Sequence, residues 1–179
     1  MSNGATPVAE IGKVVEDATK GARALTDGEF THIAQELAKM FSVKADEVAI
    51  LALTDNGALL SFLYPAKLRK IGSIPMSTTN SLAVRTARDK RPEMINNFPI
   101  QKHPTVFESV ALDPKAQEKH PIQKIMSAPL ILDGKPVGVV QISRKGKSPI
   151  AAGADFTIKD LTSLVTTAGV LAKGLRNTK

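Results

Sequence analysis

Three short stretches carry the polar side chains whose spacing suits a small ligand. Ser77-Thr78-Thr79-Asn80 sets three hydroxyls and an amide directly ahead of a helical pattern, where the free N–H groups of a first turn attract anions. The same stretch reads equally as a helix cap by Thr79 or Asn80, and both readings stay open. Asn96 and Asn97, at the end of a short extended run, either read a small polar ligand or form a turn. His103 and His120 each sit between a lysine and a proline, in Lys102-His103-Pro104 and Lys119-His120-Pro121. Imidazole suits haem iron, while the adjoining lysines suit a solvent-facing loop. His32, between Thr31 and the core candidate Ile33, reads as a helix-edge residue. Phe98, Val106, Phe107 and Met126 would line a pocket or fill a core. The candidate ligand-binding set is therefore Ser77, Thr78, Asn80, Asn96, Asn97, His103, Phe107 and Met126. No paired carboxylates, Ser/His/Asp set, glycine-rich phosphate loop or metal-ligand spacing accompanies them. The expectation is a binding protein and not an enzyme, with no catalytic or metal residue to name and the cofactor unknown.

The elements that must position these residues follow from length, charge and periodicity. A chain of 179 residues with 42% hydrophobic residues supports one domain with a real core. It has no cysteine, so disulfides, thiolate metal sites and Cys nucleophiles are excluded. The start MSNGATPVAEIG lacks the pattern of a signal peptide, and no run approaches a membrane span, so a cytoplasmic protein without membrane contact is expected. The net charge of +7 is unevenly spread: residues 1–60 carry 5 Lys/Arg against 9 Asp/Glu, residues 61–179 carry 19 against 8. Such asymmetry suits an anionic ligand, nucleic acid, docking of one part on another, or a plain solvated surface. With one tyrosine and six phenylalanines, none interleaved with the basic residues, nucleic acid finds no obvious stacking platform, while nonspecific attraction to phosphates stays open through the +11 balance after residue 60.

Val8, Ile11, Val15, Ala18, Ala22 and Leu25 step by three and four, predicting a first helix with a seam that Gly21 weakens. Thr26 and Glu29 form a capping-box pattern ahead of Phe30, Ile33, Ala34, Leu37 and Phe41 on one helical face. Residues 47–54 and 59–64 predict two antiparallel strands around Asp55-Asn56-Gly57, the second stopped by Pro65. A helix over 80–91, a short strand over 93–97 and an irregular segment to His120 with a brief helix over 105–112 come next. Residues 126–132 and 135–143 flank Asp133-Gly134, which predicts a type I′ hairpin with Leu132 opposite Lys135 and local trouble at Pro129 and Pro136. After a linker over 146–153, Asp155 is placed to cap a last helix whose Leu161, Leu164, Ala168, Leu171 and Leu175 repeat the three-four spacing. The first and last helices carry matching seams, and mutual packing is the economical inference.

In this order the elements resemble a GAF domain over roughly residues 27–175. The likeness rests on IPMSTTNSLAVRTARDKRPEMINN, IMSAPLILDGKPVGVVQISRKG and FTIKDLTSLVTTAGVLAKGL. The resemblance implies an α+β fold related to the PAS fold: an antiparallel sheet of five or six strands, terminal helices on one face and a small-molecule pocket on the other. It also implies frequent dimerisation through the terminal helices, and it divides the chain into an N-terminal helical extension, 1–26, with a dimerisation seam, and one domain, 27–179. The absence of cysteine separates the chain from the bilin-attaching members and from the free methionine sulfoxide reductase members at the catalytic step. The Asn-Lys-X-Asp-type signature of the cyclic-nucleotide binders is not evident either. No kinase, cyclase or helix-turn-helix output lies within the chain, so a signal would leave through contacts with another molecule, such as a signalling protein.

The leading expectation is a homodimeric sensor in signal transduction that takes a small molecule, an anion among the candidates, between the sheet and residues 66–121. The alternative is a ligand-free structural or interaction module that recruits a protein or nucleic acid through its dimer interface or basic surface. Both place the hairpin around Asp133-Gly134 at the centre of the sheet.

Overall fold

A computed structural model describes residues 4–100 and 120–178. Thr6 caps α1 (Pro7–Lys20), with its hydroxyl accepting from the Ala9 N–H. The Thr26/Glu29 capping box opens α2 (Asp27–Phe41) as expected. Among the described residues six strands follow: β1 (Val48–Thr54), β2 (Leu59–Tyr64), β3 (Ser73–Pro75), β4 (Glu93–Ile95), β5 (Ile122–Leu132) and β6 (Lys135–Lys145). Between β3 and β4 lies α3 (Leu82–Asp89), and α4 (Ile158–Gly174) ends the fold. The strands form one antiparallel sheet in the order β3-β2-β1-β6-β5-β4. This is the expected α+β architecture, with helices in two layers.

The hairpin occupies the middle of the sheet. Leu132 pairs with Lys135 across a turn in which Asp133 and Gly134 have φ of 52° and 78°, the left-handed angles a type I′ turn needs. The ladder slips between Leu130 and Ile131, where Pro136 faces Ile131 and cannot donate. Strand alternation then divides the two faces. Met126, Ala128, Leu130, Val140 and Ile142 join Ile50 and Ala52 under α1, α2 and α4. On the other face Leu51, Leu60, Phe62 and Val139 meet Leu68 and the Ala83, Val84 and Ala87 side of α3.

The seams of the first and last helices pack together as inferred. Ile11, Val15 and Ala18 of α1 and Leu164, Ala168, Leu171 and Ala172 of α4 belong to one buried cluster. Gly174 lies against Val15 and Leu25, and Gly12 lies against Val170, so the two helices run in the same direction. The first helix stops sooner than its seam: Gly21 caps it and Ala22 is left-handed, although Leu25 still reaches the core. Two caps differ from expectation. Ser81, not Thr79 or Asn80, caps α3, accepting from the Val84 N–H. Thr157, not Asp155, caps α4 through a box with Asp160. The three-residue β3 and the single-turn 3-10 segment Ala66–Lys70 are additions, too short to leave a period in the sequence.

The α1–α2 corner carries an ion pair with a stated pH response. Arg23 grips Glu29 in a fork of 2.8 and 2.9 Å, while the Thr26 N–H donates to the same carboxylate at 2.8 Å. The Arg23 bonds, aided by that amide, hold the Glu29 carboxyl down from 4.5 to about 2. Because the folded value lies below the ordinary one, the stabilisation is complete above 4.5 and is lost as pH falls toward 2. Urea midpoints of the wild type and Glu29→Gln should therefore differ at neutral pH and converge in acid; a constant gap would disprove the assignment.

Candidate functional site

The face of the sheet under α3 holds a buried polar row that the apolar strands around it do not need. Thr86 projects from α3, Ser127 from β5 and Gln141 from β6, all buried. Ser127 and Gln141 are direct cross-strand partners. Their hydrogen bonds run one way. Gln141 Nε2 donates to Ser127 Oγ at 3.2 Å, and Thr86 Oγ1 donates to the Leu82 carbonyl at 2.8 Å. Each hydroxyl has one proton, so in the 2.7 Å contact between them Ser127 donates to Thr86. The row fixes α3 to the centre of the sheet by hydroxyl and amide groups and holds no carboxylate, imidazole or thiol.

Charge reinforces this face. Residues 65–93, which include α3 and the 3-10 segment packed beside it, carry seven basic side chains, Lys67, Arg69, Lys70, Arg85, Arg88, Lys90 and Arg91, against Asp89 and Glu93. The opposite layer of α1, α2 and α4 carries five basic residues against seven acidic ones. Residues 65–93 thus carry five net positive charges. Part of this charge is neutralised: Arg69 reaches Asp27 of α2 at 2.6 Å, and Arg88 pairs with Asp89 at 2.9 Å. Arg85 holds Glu93 of β4 through bonds of 2.6 and 2.8 Å, and the Glu93 carboxylate raises the Arg85 guanidinium above its ordinary value.

The residues expected from the sequence have divided fates. Ser77 and Thr78 follow β3 in a turn closed by the Thr78 N–H on the Pro75 carbonyl at 3.0 Å, and Asn80 is exposed next to the Ser81 cap. All three border the N-terminus of α3. Asn97 is exposed. Asn96 is engaged elsewhere: its Nδ2 donates to the Phe156 carbonyl at 3.1 Å and its Oδ1 accepts from the Phe156 N–H at 2.9 Å. Met126 is 0% exposed in the core under α1, α2 and α4, on the face away from α3. Strand alternation puts Ser127, and not Met126, on the α3 face. Phe98 is core, packed with Leu82, Ile95, Ile122 and Ile125. His103, Val106, Phe107 and the helix expected over 105–112 lie outside the described residues. His32 stands 4.0 Å from Glu10 at the α1–α2 edge, and His120 is half-buried just ahead of β5. Among the described residues no group of three or more His, Cys, Asp or Glu is placed to hold a metal.

Sequence reasoning missed Thr86, Ser127 and Gln141. The signal was available for two of them: counted outward from Asp133-Gly134 with one bulged residue, Ser127 and Gln141 are the polar pair facing each other inside two apolar strands.

Comparison with known proteins agrees with this architecture. A search of curated proteins finds no match. Among solved structures, the GAF domain of an Acinetobacter phosphoenolpyruvate-protein phosphotransferase is similar at TM-score 0.65 and 15% identity, covering 98% of this chain and 94% of that one. An A. aeolicus GAF domain in an inactive state gives 0.61 and 16%, covering 97% and 95%. Free methionine-R-sulfoxide reductase from Neisseria meningitidis, in complex with its substrate, gives 0.62 and 17%, covering 96% and 87%. At these identities the likeness concerns the fold. The GAF domain family model matches residues 26–175, most of the sequence, and the chain belongs to the GAF domain family.

Proposed function

We propose that the chain is a sensory module that binds a small anionic ligand on the α3 face and signals as a homodimer through α1 and α4. GAF domains are regulatory sensor modules in signalling proteins. The observation that carries the ligand reading is the Thr86–Ser127–Gln141 row beneath a face with excess positive charge. Hydroxyls and amides orient a polar ligand, and the surrounding arginines and lysines favour a negative one. The reading is non-enzymatic, because the row offers no group that abstracts a proton or attacks a substrate. Its place of action is the cytoplasm, in contact with a signalling partner. No described helix is long and apolar enough to cross a membrane.

The dimer reading rests on the outer side of the terminal helices. On α4, Ile158 is 71% and Val165 43% exposed, and with Thr162 and Gly169 they follow a four-three-four spacing along one stripe. Beside it a groove of about 540 Å³ runs between α1 and α4, lined by Ala9, Gly12, Val15 and Val170 with lysines and Glu16 at its rim. Small residues allow a second pair of helices to approach closely, and isologous pairing would cover both stripes at once.

Native mass spectrometry of the protein from its own host tests the whole reading. The expected result is a dimer carrying a reproducible extra mass that is lost on denaturation and is reduced in Ser127→Ala. A dimer at twice the chain mass, with nothing added at any protein concentration, would overturn the ligand part and leave an interaction module. A monomer would overturn the dimer part.

A further inference from the structure

The segment leading into α4 is fastened to the sheet by residues that approach it from strands β4 and β5. Phe156, 2% exposed, lies immediately before the Thr157 cap. Asn96 follows the last residue of β4 and bonds both backbone groups of Phe156, so its side-chain amide acts as one more rung of strand pairing. On β5, Lys124 is buried, with its ammonium 2.6 Å from the Gly153 carbonyl and 2.7 Å from an Asp155 carboxylate oxygen. The register sets Ile95 opposite Ile125, which brings Asn96 and Lys124 to the same corner of the sheet. From β6, Arg144 covers the Phe156 ring, 4.7 Å from its centroid, and donates to the Phe41 carbonyl at the end of α2.

The other face of the same corner is tied to α3. Arg85 holds Glu93 of β4, Thr86 meets Ser127 of β5, and Leu82 packs on Ile95 and Ile125. Glu93 and Ser127 are themselves paired across β4 and β5. β4 has three residues and, among the described residues, a sheet neighbour on one side, so it has few backbone bonds there to resist displacement.

We infer that Asn96 and Lys124 are positioning residues that couple the α3 face to the start of α4, with the β4–β5 corner as the moving part. A ligand that shifts α3 pulls on Glu93 and Ser127 on one face. The corner passes that shift through Asn96 and Lys124 to Gly153, Asp155 and Phe156 on the other. A ligand does this only by its differential affinity for the two arrangements. The inference rests on the proposed ligand site for its biological use, but the mechanical link is a property of the chain and is measurable without ligand.

The test is amide hydrogen exchange, resolved by residue, on the full chain. Ser127→Ala, made on the α3 face, should raise exchange of the amides at 156–162 by roughly five- to tenfold while β1 amides keep their wild-type rates. In a background of Asn96→Ala with Lys124→Met, the same segment should already exchange fast, and adding Ser127→Ala should change it less than twofold. Asn97→Ala, an exposed neighbour, is the control and should leave the response to Ser127→Ala intact. If the background variant unfolds, Asn96→Asp, which keeps the acceptor and loses the donor, replaces it and should blunt the response in part. Independent, additive effects, or a silent 156–162 segment in Ser127→Ala, would overturn the coupling. Native mass spectra separate the two ideas: a wild type that carries no added mass but shows intact coupling fails the ligand reading, and a wild type that carries added mass but shows additive exchange fails the relay.

Discussion

Gly138→Ala should destabilise the protein by about 3 kcal/mol and lower its melting temperature by roughly 10 °C. Gly138 lies in β6 opposite Ala52 of β1 and Leu130 of β5, with strands on both sides. A Cβ there would overlap the Leu51 carbonyl oxygen and stand 3.1 and 3.2 Å from the methyl groups of Leu130 and Leu175. The two leucine methyls can turn aside, but the carbonyl is part of the β1 backbone. Leu51 is itself paired with Val139, so β1 retreats only by breaking its ladder with β6. Denaturant unfolding with an unchanged slope and a lower midpoint is the expected signature. A loss below about 0.5 kcal/mol would mean that the sheet centre is looser than its pairing implies.

Val165→Glu should weaken self-association at least about 100-fold and leave folding almost unchanged. With 43% of its surface already exposed in the single chain, Val165 contributes little to the core. In a two-fold interface built on α4 each substitution appears twice, so two carboxylates would be brought into an apolar stripe that has only Ile158, Thr162 and Gly169 to receive them. Two like charges brought together on an apolar stripe repel each other and lose hydration, which is costly. Sedimentation equilibrium against the wild type checks this, with Ile150→Glu, at a fully open loop position 92% exposed, as the neutral comparison. An unaltered dimer in Val165→Glu would move the interface away from α4.

Local rules made much of the fold legible. The Thr26/Glu29 box, the Asp133-Gly134 turn and the three-four seams depend on residues a few positions apart, and each appears where its chemistry requires. β3 was not legible, since three residues beside the 3-10 segment leave no alternation to read. The candidate site was harder for a different reason. β5 is apolar on both faces over most of its length, so its pattern does not say whether Met126 or Ser127 faces α3; the register with β6 and the position of α3 decide it. Asn96 was singled out as a polar group with something to bind, but its partner is Phe156, 60 residues further along. Polarity at a strand end is visible in sequence, and the identity of a distant backbone partner is not.

The order β3-β2-β1-β6-β5-β4 also governs the chain while it is being made. Val48 of β1 finds its neighbour only when Ile142 arrives, by which time β2, β3, α3 and β4 have been synthesised. At ordinary translation rates β1 waits on the order of ten seconds with one side unpaired. The central edge of the sheet is therefore open longest in the nascent chain, and Val48-Ala49-Ile50-Leu51-Ala52-Leu53-Thr54, uncharged and free of proline, is the segment that ribosome-associated chaperones have most reason to cover.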